Sequence, residues 1–210
     1  MLFEVEAILF DSDGVLVDSH AMVETAWRRI AAQYSLDIDV LLAELAGVRA
    51  IDTLSKYLSG ESLHQAIADL ERLEVDTADG TIALPGAVEL VSALVGSPYA
   101  FVTSASSELA IARWAGAGIP LAGTLITADH VSRGKPDPEP FVRAAERLGV
   151  LPGRCVVFED SPSGGQAGIS AGATVIAVGA APWPFEPAAR VPNLAAVSVV
   201  STGSTTVLEL

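Results

Sequence analysis

The chain has one cysteine, few basic side chains and no apolar run long enough to cross a bilayer. Each shortage excludes something. A lone thiol allows no disulfide framework within one chain, and Cys155, inside the run Cys155-Val156-Val157-Phe158, reads as a buried core residue. That suits a reducing compartment, so a cytoplasmic location is expected. Twelve Lys and Arg against 26 Asp and Glu leave a net charge of −14 and a pI near 4.4. This is the wrong sign for nucleic acid or an anionic membrane as the main partner. The sequence enters Glu4 and a strand without a basic region and long apolar segment, so no signal peptide is expected. His20, His64 and His130 form no pairing that suggests catalysis or a metal, and they read as surface residues. Gly134-Lys135 lacks the glycine spacing and the following Ser/Thr of a Walker motif. Gly164, Gly165 and Gly168 lack a dinucleotide-binding context and are expected to permit close helix packing.

What is present is half hydrophobic across 210 residues, enough for one large domain or a domain with an insertion. Ala7-Ile8-Leu9-Phe10 reads as a buried strand that stops at Asp11-Ser12-Asp13-Gly14. Helical spacing follows over residues 19–34 with Ser19 as N-cap, then over 39–45, over 52–58 with Asp52 as cap, and over 62–73. Residues 74–80 are polar and read as a linker. From Pro85, expected at the first position of a helix, apolar strands alternate with helices. The strands fall near 99–102, 125–127, 154–158 and 174–178, with an edge strand near 197–200. Ser107 is the expected cap of one of the intervening helices. The loop 181–187 is given no function. Strands apolar throughout and separated by helices indicate a parallel sheet covered on both faces. The expected fold is α/β, a doubly wound, mostly parallel Rossmann-like core over residues 1–17 and 81–210, with an all-helical insertion over 18–80.

Ligands of doubly wound sheets sit beyond the carboxyl ends of the strands. Those ends carry Asp11 and Asp13, then Thr103 and Ser104, then Glu159 and Asp160, with Lys135 held in Arg133-Gly134-Lys135-Pro136-Asp137-Pro138. Oxygen ligands in that number suit Mg²⁺. Hydroxyls, an ammonium and backbone N–H groups suit a phosphate, and a carboxylate can attack phosphorus.

In order, Asp11-Ser12-Asp13-Gly14-Val15-Leu16-Val17-Asp18-Ser19, Thr103-Ser104, Lys135-Pro136 and Phe158-Glu159-Asp160-Ser161 resemble the four motifs of the haloacid dehalogenase-like hydrolase superfamily. The resemblance covers essentially the whole chain. The helical insertion is similar to the cap of the β-phosphoglucomutase and sugar-phosphatase branch. Gly47-Val48-Arg49 with Asp52-Thr53-Leu54 is similar to a segment of sugar phosphate and glycerol-3-phosphate phosphatases. The resemblance implies Asp11 as nucleophile and metal ligand. It implies Asp13 as general acid and base, offering its carbonyl to the metal. Thr103 or Ser104 would bind the phosphoryl oxygens, and Lys135 would neutralise charge. Asp160 would ligate Mg²⁺, with Glu159 a ligand or a partner through water. Arg49 would grip the substrate, the other reading being a solvated surface residue. Glu24 and Trp27 are weighed as substrate-facing, Trp27 also as core. The implied activity is a Mg²⁺-dependent phosphatase on a small phosphorylated sugar or polyol, its partner a small phosphorylated metabolite, as a monomer or weak dimer. The alternative, a phosphosugar mutase, calls for a histidine where Val23 stands. A dehalogenase proper has no need of Asp13, and a phosphoacceptor receiver domain has its acids in a different strand order.

Overall fold

The computed structural model describes residues 1–201 and 205–210. Its central sheet has six strands in the order β6-β5-β2-β7-β8-β9, every neighbouring pair parallel. These are β2 (Ala7–Phe10), β5 (Tyr99–Val102), β6 (Thr124–Ile126), β7 (Cys155–Glu159), β8 (Thr174–Val178) and β9 (Ala189–Val191). Four helices complete the crossovers: α5 (Ala87–Ala93), α6 (Ser107–Ala117), α7 (Glu139–Leu148) and α8 (Pro162–Ala171). Alternate strand residues pack on opposite layers, which is why the strands are apolar throughout. On one face Phe10, Phe101, Val156 and Ile176 meet Leu90 and Val91 of α5 and Trp114 of α6. On the other, Leu9, Ala100 and Val157 meet Phe141 and Ala145 of α7 and Ala167 of α8.

Phe10 is in register with Phe101 on one side and Phe158 on the other, so three strands end level beneath one spot. The Phe10 and Phe158 rings stack at 5.4 Å, and Phe101 contacts Trp114 at 4.7 Å. This aromatic layer is the dry floor on which the strand-end residues stand.

Between β2 and β4 (Ile82–Ala83) lie α1 (His20–Tyr34), α2 (Ile38–Glu44), α3 (Ala50–Leu54) and α4 (Gly60–Val75). They share their own apolar cluster, including Trp27, Ile30, Leu41, Leu54 and Leu70. The chain leaves the core through β3 (Val17–Asp18) and returns through β4, and these two strands pair antiparallel with each other. No helix among the described residues is long and apolar enough to cross a membrane.

Several local expectations are corrected. The edge strand near 197–200 is β10 (Ser198–Ser201), which joins β1 (Leu2–Val5) and β11 (Thr206–Glu209) in a separate antiparallel sheet. Pro85 does not open α5. Gly86, at φ 84°, takes the N-cap, and a Cβ there would lie 2.1 Å from the Ala195 backbone nitrogen. Ser106, not Ser107, caps α6 by accepting from Leu109 N–H. Asp52 lies inside α3 rather than capping it. The supposed linker 74–80 finishes α4 and forms a 3-10 turn at Ala78–Gly80, where Ala78 is buried. His64 is exposed as expected, but His130 is half-buried and hydrogen-bonds Thr127 in a capping box.

The loop carrying Lys135 is anchored from α7. The Glu139 carboxylate accepts the N–H groups of Ser132 and Arg133, each at 3.0 Å, and Arg143 Nε at 2.8 Å. The Ser132 N–H, then Arg143, hold its carboxyl down to about 2, against an ordinary 4.5. A depressed carboxyl stabilises the fold above its unfolded pKa and loses that contribution as pH falls through the folded value. Glu139→Gln is therefore expected to lower unfolding free energy at neutral pH. In denaturant titrations its difference from the parent should shrink between pH 4.5 and about 2.

Candidate active site

Asp11 continues β2 by donating its N–H to the Phe158 carbonyl at 2.9 Å, which fixes it between β5 and β7. Lys135 is fully buried beneath it. Its ammonium donates to Asp11 Oδ1, to Glu159 Oε1 at 2.8 Å and to the Val102 carbonyl at 3.1 Å. All three donors are thus used. Burial alone would lower the lysine pKa; the Asp11 and Glu159 charges outweigh it and hold the pKa above the ordinary value. Burial pushes the Asp11 carboxyl well above the carboxylate range, with Lys135 pulling against it.

Glu159, also fully buried, accepts on its other oxygen from Ser161 N–H at 2.8 Å and Ser161 Oγ–H at 2.9 Å. Ser161 Oγ in turn caps α8 at Gly164 N–H. A Cβ at Gly164 would stand 1.5 Å from Glu159 Oε1, so α8 approaches only because that position is glycine. Gly14, at φ 82°, does the same for Asp160: a Cβ would lie 2.0 Å from Oδ2. The Asp160 carboxyl is pushed up to about 7 by burial and then by the Glu159 charge. Trp183, in the loop to which no function was attached, donates Nε1–H to the Asp160 carbonyl at 3.3 Å.

Asp11, Glu159 and Asp160 each offer one oxygen, all within 4.8 Å of one another. Ionised together, three carboxylates against one ammonium would carry two uncompensated negative charges in a buried place, which is why the Asp11 and Asp160 carboxyls are pushed up. A divalent cation would balance them, and its oxygen ligands are at hand.

Asp13 is held differently. Its Oδ1 accepts Ser19 Oγ–H at 2.5 Å and Arg113 Nη1–H at 2.9 Å. The Ser19 hydroxyl is therefore spent on Asp13 and makes no cap bond to α1. Arg113, almost wholly buried, reaches on to Glu74 Oε1 at 3.2 Å. Burial pushes the Glu74 carboxyl up to about 7, against the pull of Arg113. Sequence reasoning missed both Arg113 and Glu74. A signal existed: Leu109, Ala110, Arg113 and Trp114 form the buried face of α6, and an arginine there requires an anion.

Thr103 Oγ1 accepts Ala105 N–H at 3.1 Å and keeps its own proton to donate. The Ser104 hydroxyl is committed to the Gly47 carbonyl at 2.8 Å. Arg49 lines the cavity, and its guanidinium is engaged by protein groups. Its guanidinium takes Asp52 in a two-point pair, Nε at 2.7 Å and Nη2 at 2.9 Å, and donates to the Val131 and Ser132 carbonyls at 3.1 Å. It packs where a Cβ on Gly134 would meet its Nε at 2.6 Å. Arg49 thus ties α3 to the loop that carries Lys135.

Asp11, Asp13 and Asp160 open into a cavity of about 610 Å³ between the sheet edge and the helices. Trp27 lines it while also serving the helical core, and His20 and Glu24 lie at its edge. Glu24 is exposed and paired with Arg28 at 2.6 Å.

Removing Arg113 would leave Asp13 and Glu74 without their shared cation. Arg113→Met is expected to cost about 3 kcal/mol of unfolding free energy. In a double-mutant cycle with Glu74→Gln the two losses should be less than additive.

Comparison with known proteins agrees with this geometry. A family model described as haloacid dehalogenase-like hydrolase matches residues 5–172. Hexitol phosphatase A of Escherichia coli (strain K12) is 42% identical over 180 residues, 83% of each chain. Glycerol-1-phosphate phosphohydrolase 2 of Saccharomyces cerevisiae is 30% identical over 187 residues, 83% of this chain and 75% of the relative. Among solved structures, β-phosphoglucomutase from Clostridium difficile superposes with a TM-score of 0.82 at 25% identity, covering 91% of this chain and 92% of that one. The buried lysine between two carboxylates at aligned strand ends, the family match and the 42% identical relative lead to one conclusion: the chain belongs to the haloacid dehalogenase-like hydrolases.

Proposed function

We propose that this hydrolase is a Mg²⁺-dependent phosphatase that removes phosphate from a small phosphorylated sugar or polyol through an aspartyl-phosphate on Asp11. The observation that carries the reading is the juxtaposition of a strand-end carboxylate, the buried ammonium bonded to it and a second carboxylate held separately, with both carboxylates facing one cavity. An Asp11 oxygen attacks phosphorus as the ester P–O bond breaks, and Asp13 delivers its proton to the departing alkoxide. Asp13 then takes a proton from water, which attacks phosphorus, frees Asp11 and yields inorganic phosphate. Arg113 and Ser19 aim Asp13 for both transfers. Lys135 favours the ionised form of Asp11 against the opposing effect of burial, and lies next to the phosphoryl charge.

Thr103 is the favoured hydroxyl for the phosphoryl oxygens, because the Ser104 proton is already given to Gly47. Asp11, Asp160 and the Asp13 carbonyl would hold Mg²⁺. Both Glu159 oxygens accept from protein donors, which supports an indirect role through Lys135. The cation would supply charge stabilisation at the phosphoryl oxygens. We assign residues 18–80 as the cap over a core of 1–17 and 81–210, and the engaged guanidinium of Arg49 favours latching that cap over binding substrate. A cytoplasmic monomer or weak dimer fits a lone buried thiol. The phosphosugar mutase is the lesser reading, since Val23 occupies the position of the mutase histidine.

With glycerol 1-phosphate or a hexitol phosphate as substrate, phosphate release is expected to require Mg²⁺ and to vanish in Asp11→Asn. Thr103→Val should lower kcat on the order of 10²–10³-fold, by analogy with loss of an oxyanion donor. Undiminished release in EDTA, or from Asp11→Asn, would contradict the mechanism.

A further inference from the structure

The cavity is larger than a phosphate, and its charges describe what else it admits. Beyond the strand-end acids, its wall carries Glu71 and Glu74 on α4, Glu24 on α1 and Asp129, set among apolar side chains such as Val23 and Leu70. Two guanidiniums reach the same wall, and neither is free. Arg113 is divided between Asp13 and Glu74, and Arg49 is held by Asp52 and two backbone carbonyls. Lys135 lies under Asp11 and Glu159. His20, at the rim, is exposed and bonded to Asp18. Among the described residues, the cavity presents no Lys or Arg whose charge is not already met by carboxylates. Glu71, half-buried one turn before Glu74, has no hydrogen-bond or ion-pair partner among them.

We infer that the cavity selects phosphate monoesters whose other end carries no negative charge, with Glu71 as the residue that enforces this. A second phosphate or a carboxylate would enter a partly enclosed space lined by acids, with no Lys or Arg left to meet its charge. Hydroxyl or ammonium groups, by contrast, would satisfy Glu71 as donors. The apolar wall accepts the carbon skeleton. This inference rests on the phosphatase reading above and narrows its substrates to neutral or cationic esters. It also weighs against a mutase, which must hold a bisphosphate.

Matched pairs on the intact protein test it: glycerol 1-phosphate against 3-phosphoglycerate, and fructose 1-phosphate against fructose 1,6-bisphosphate, with p-nitrophenyl phosphate as a generic monoester. The expected result is that kcat/KM favours the singly phosphorylated, carboxylate-free member of each pair by about tenfold or more at low ionic strength. Glu71→Gln should narrow the glycerate ratio by raising turnover of the acid. Equal kcat/KM within both pairs, or a ratio unmoved by Glu71→Gln, would overturn the inference while leaving the phosphatase standing. Failure to hydrolyse any ester, p-nitrophenyl phosphate included, would overturn the phosphatase reading and this inference with it.

Discussion

A buried ammonium between two carboxylates is the contact on which the site depends. Two like charges about 4 Å apart repel by about 4 kcal/mol at an effective dielectric of 20. Asp11 and Glu159 can stand at neighbouring strand ends, on a floor of phenylalanines, only because Lys135 is inserted between them. The rest of the local structure serves that insertion. Glu139 pins the backbone of Ser132 and Arg133, Arg49 grips the carbonyls of Val131 and Ser132, and the Lys135 ammonium lies over the Phe141 ring. A loop that would otherwise wander is bound on both sides.

The two halves of the site are built to opposite electrostatic plans. Under the strand ends, carboxylates crowd until they exceed their one cation, and glycine at 14 and 164 lets backbone come close enough to keep them there. Across the cavity, Asp13 is matched with an arginine that is itself matched with Glu74. The first arrangement carries an excess of acids over cations; the second is internally balanced and holds Asp13 in a fixed direction.

The parts of this design that were legible in the sequence share a physical reason. Asp11, Glu159 and Asp160 each interrupt an apolar run abruptly, and a buried strand cannot end in charge without a purpose. Lys135 stood out just ahead of two prolines that fix the start of a helix. The parallel sheet followed from strands apolar on both faces. What stayed hidden depended on contacts distant in sequence. Glu74 ended a helix that looked like a polar linker, and its partner Arg113 lies 39 residues away. The β1-β11-β10 sheet joins the two ends of the chain, Leu2 opposite Glu209, through half-exposed strands that carry little pattern. Arg49 was placed near the site correctly, but its direction is set by carbonyls of a loop more than 80 residues on.

The pairing of β3 with β4 has a mechanical meaning. Val17 lies opposite Ala83 and Asp18 opposite Ile82, so the strand that leaves the core and the strand that returns are laced to each other. Two independent tethers would let the helices slide, twist and lift in any combination. A laced ribbon resists shear along its length, because sliding one strand past the other would break its hydrogen bonds, and yields mainly by bending across its plane. The helical layer therefore leaves and rejoins the core along one ribbon rather than on two separate tethers. Ser19, the first residue past that ribbon, already has its hydroxyl on Asp13.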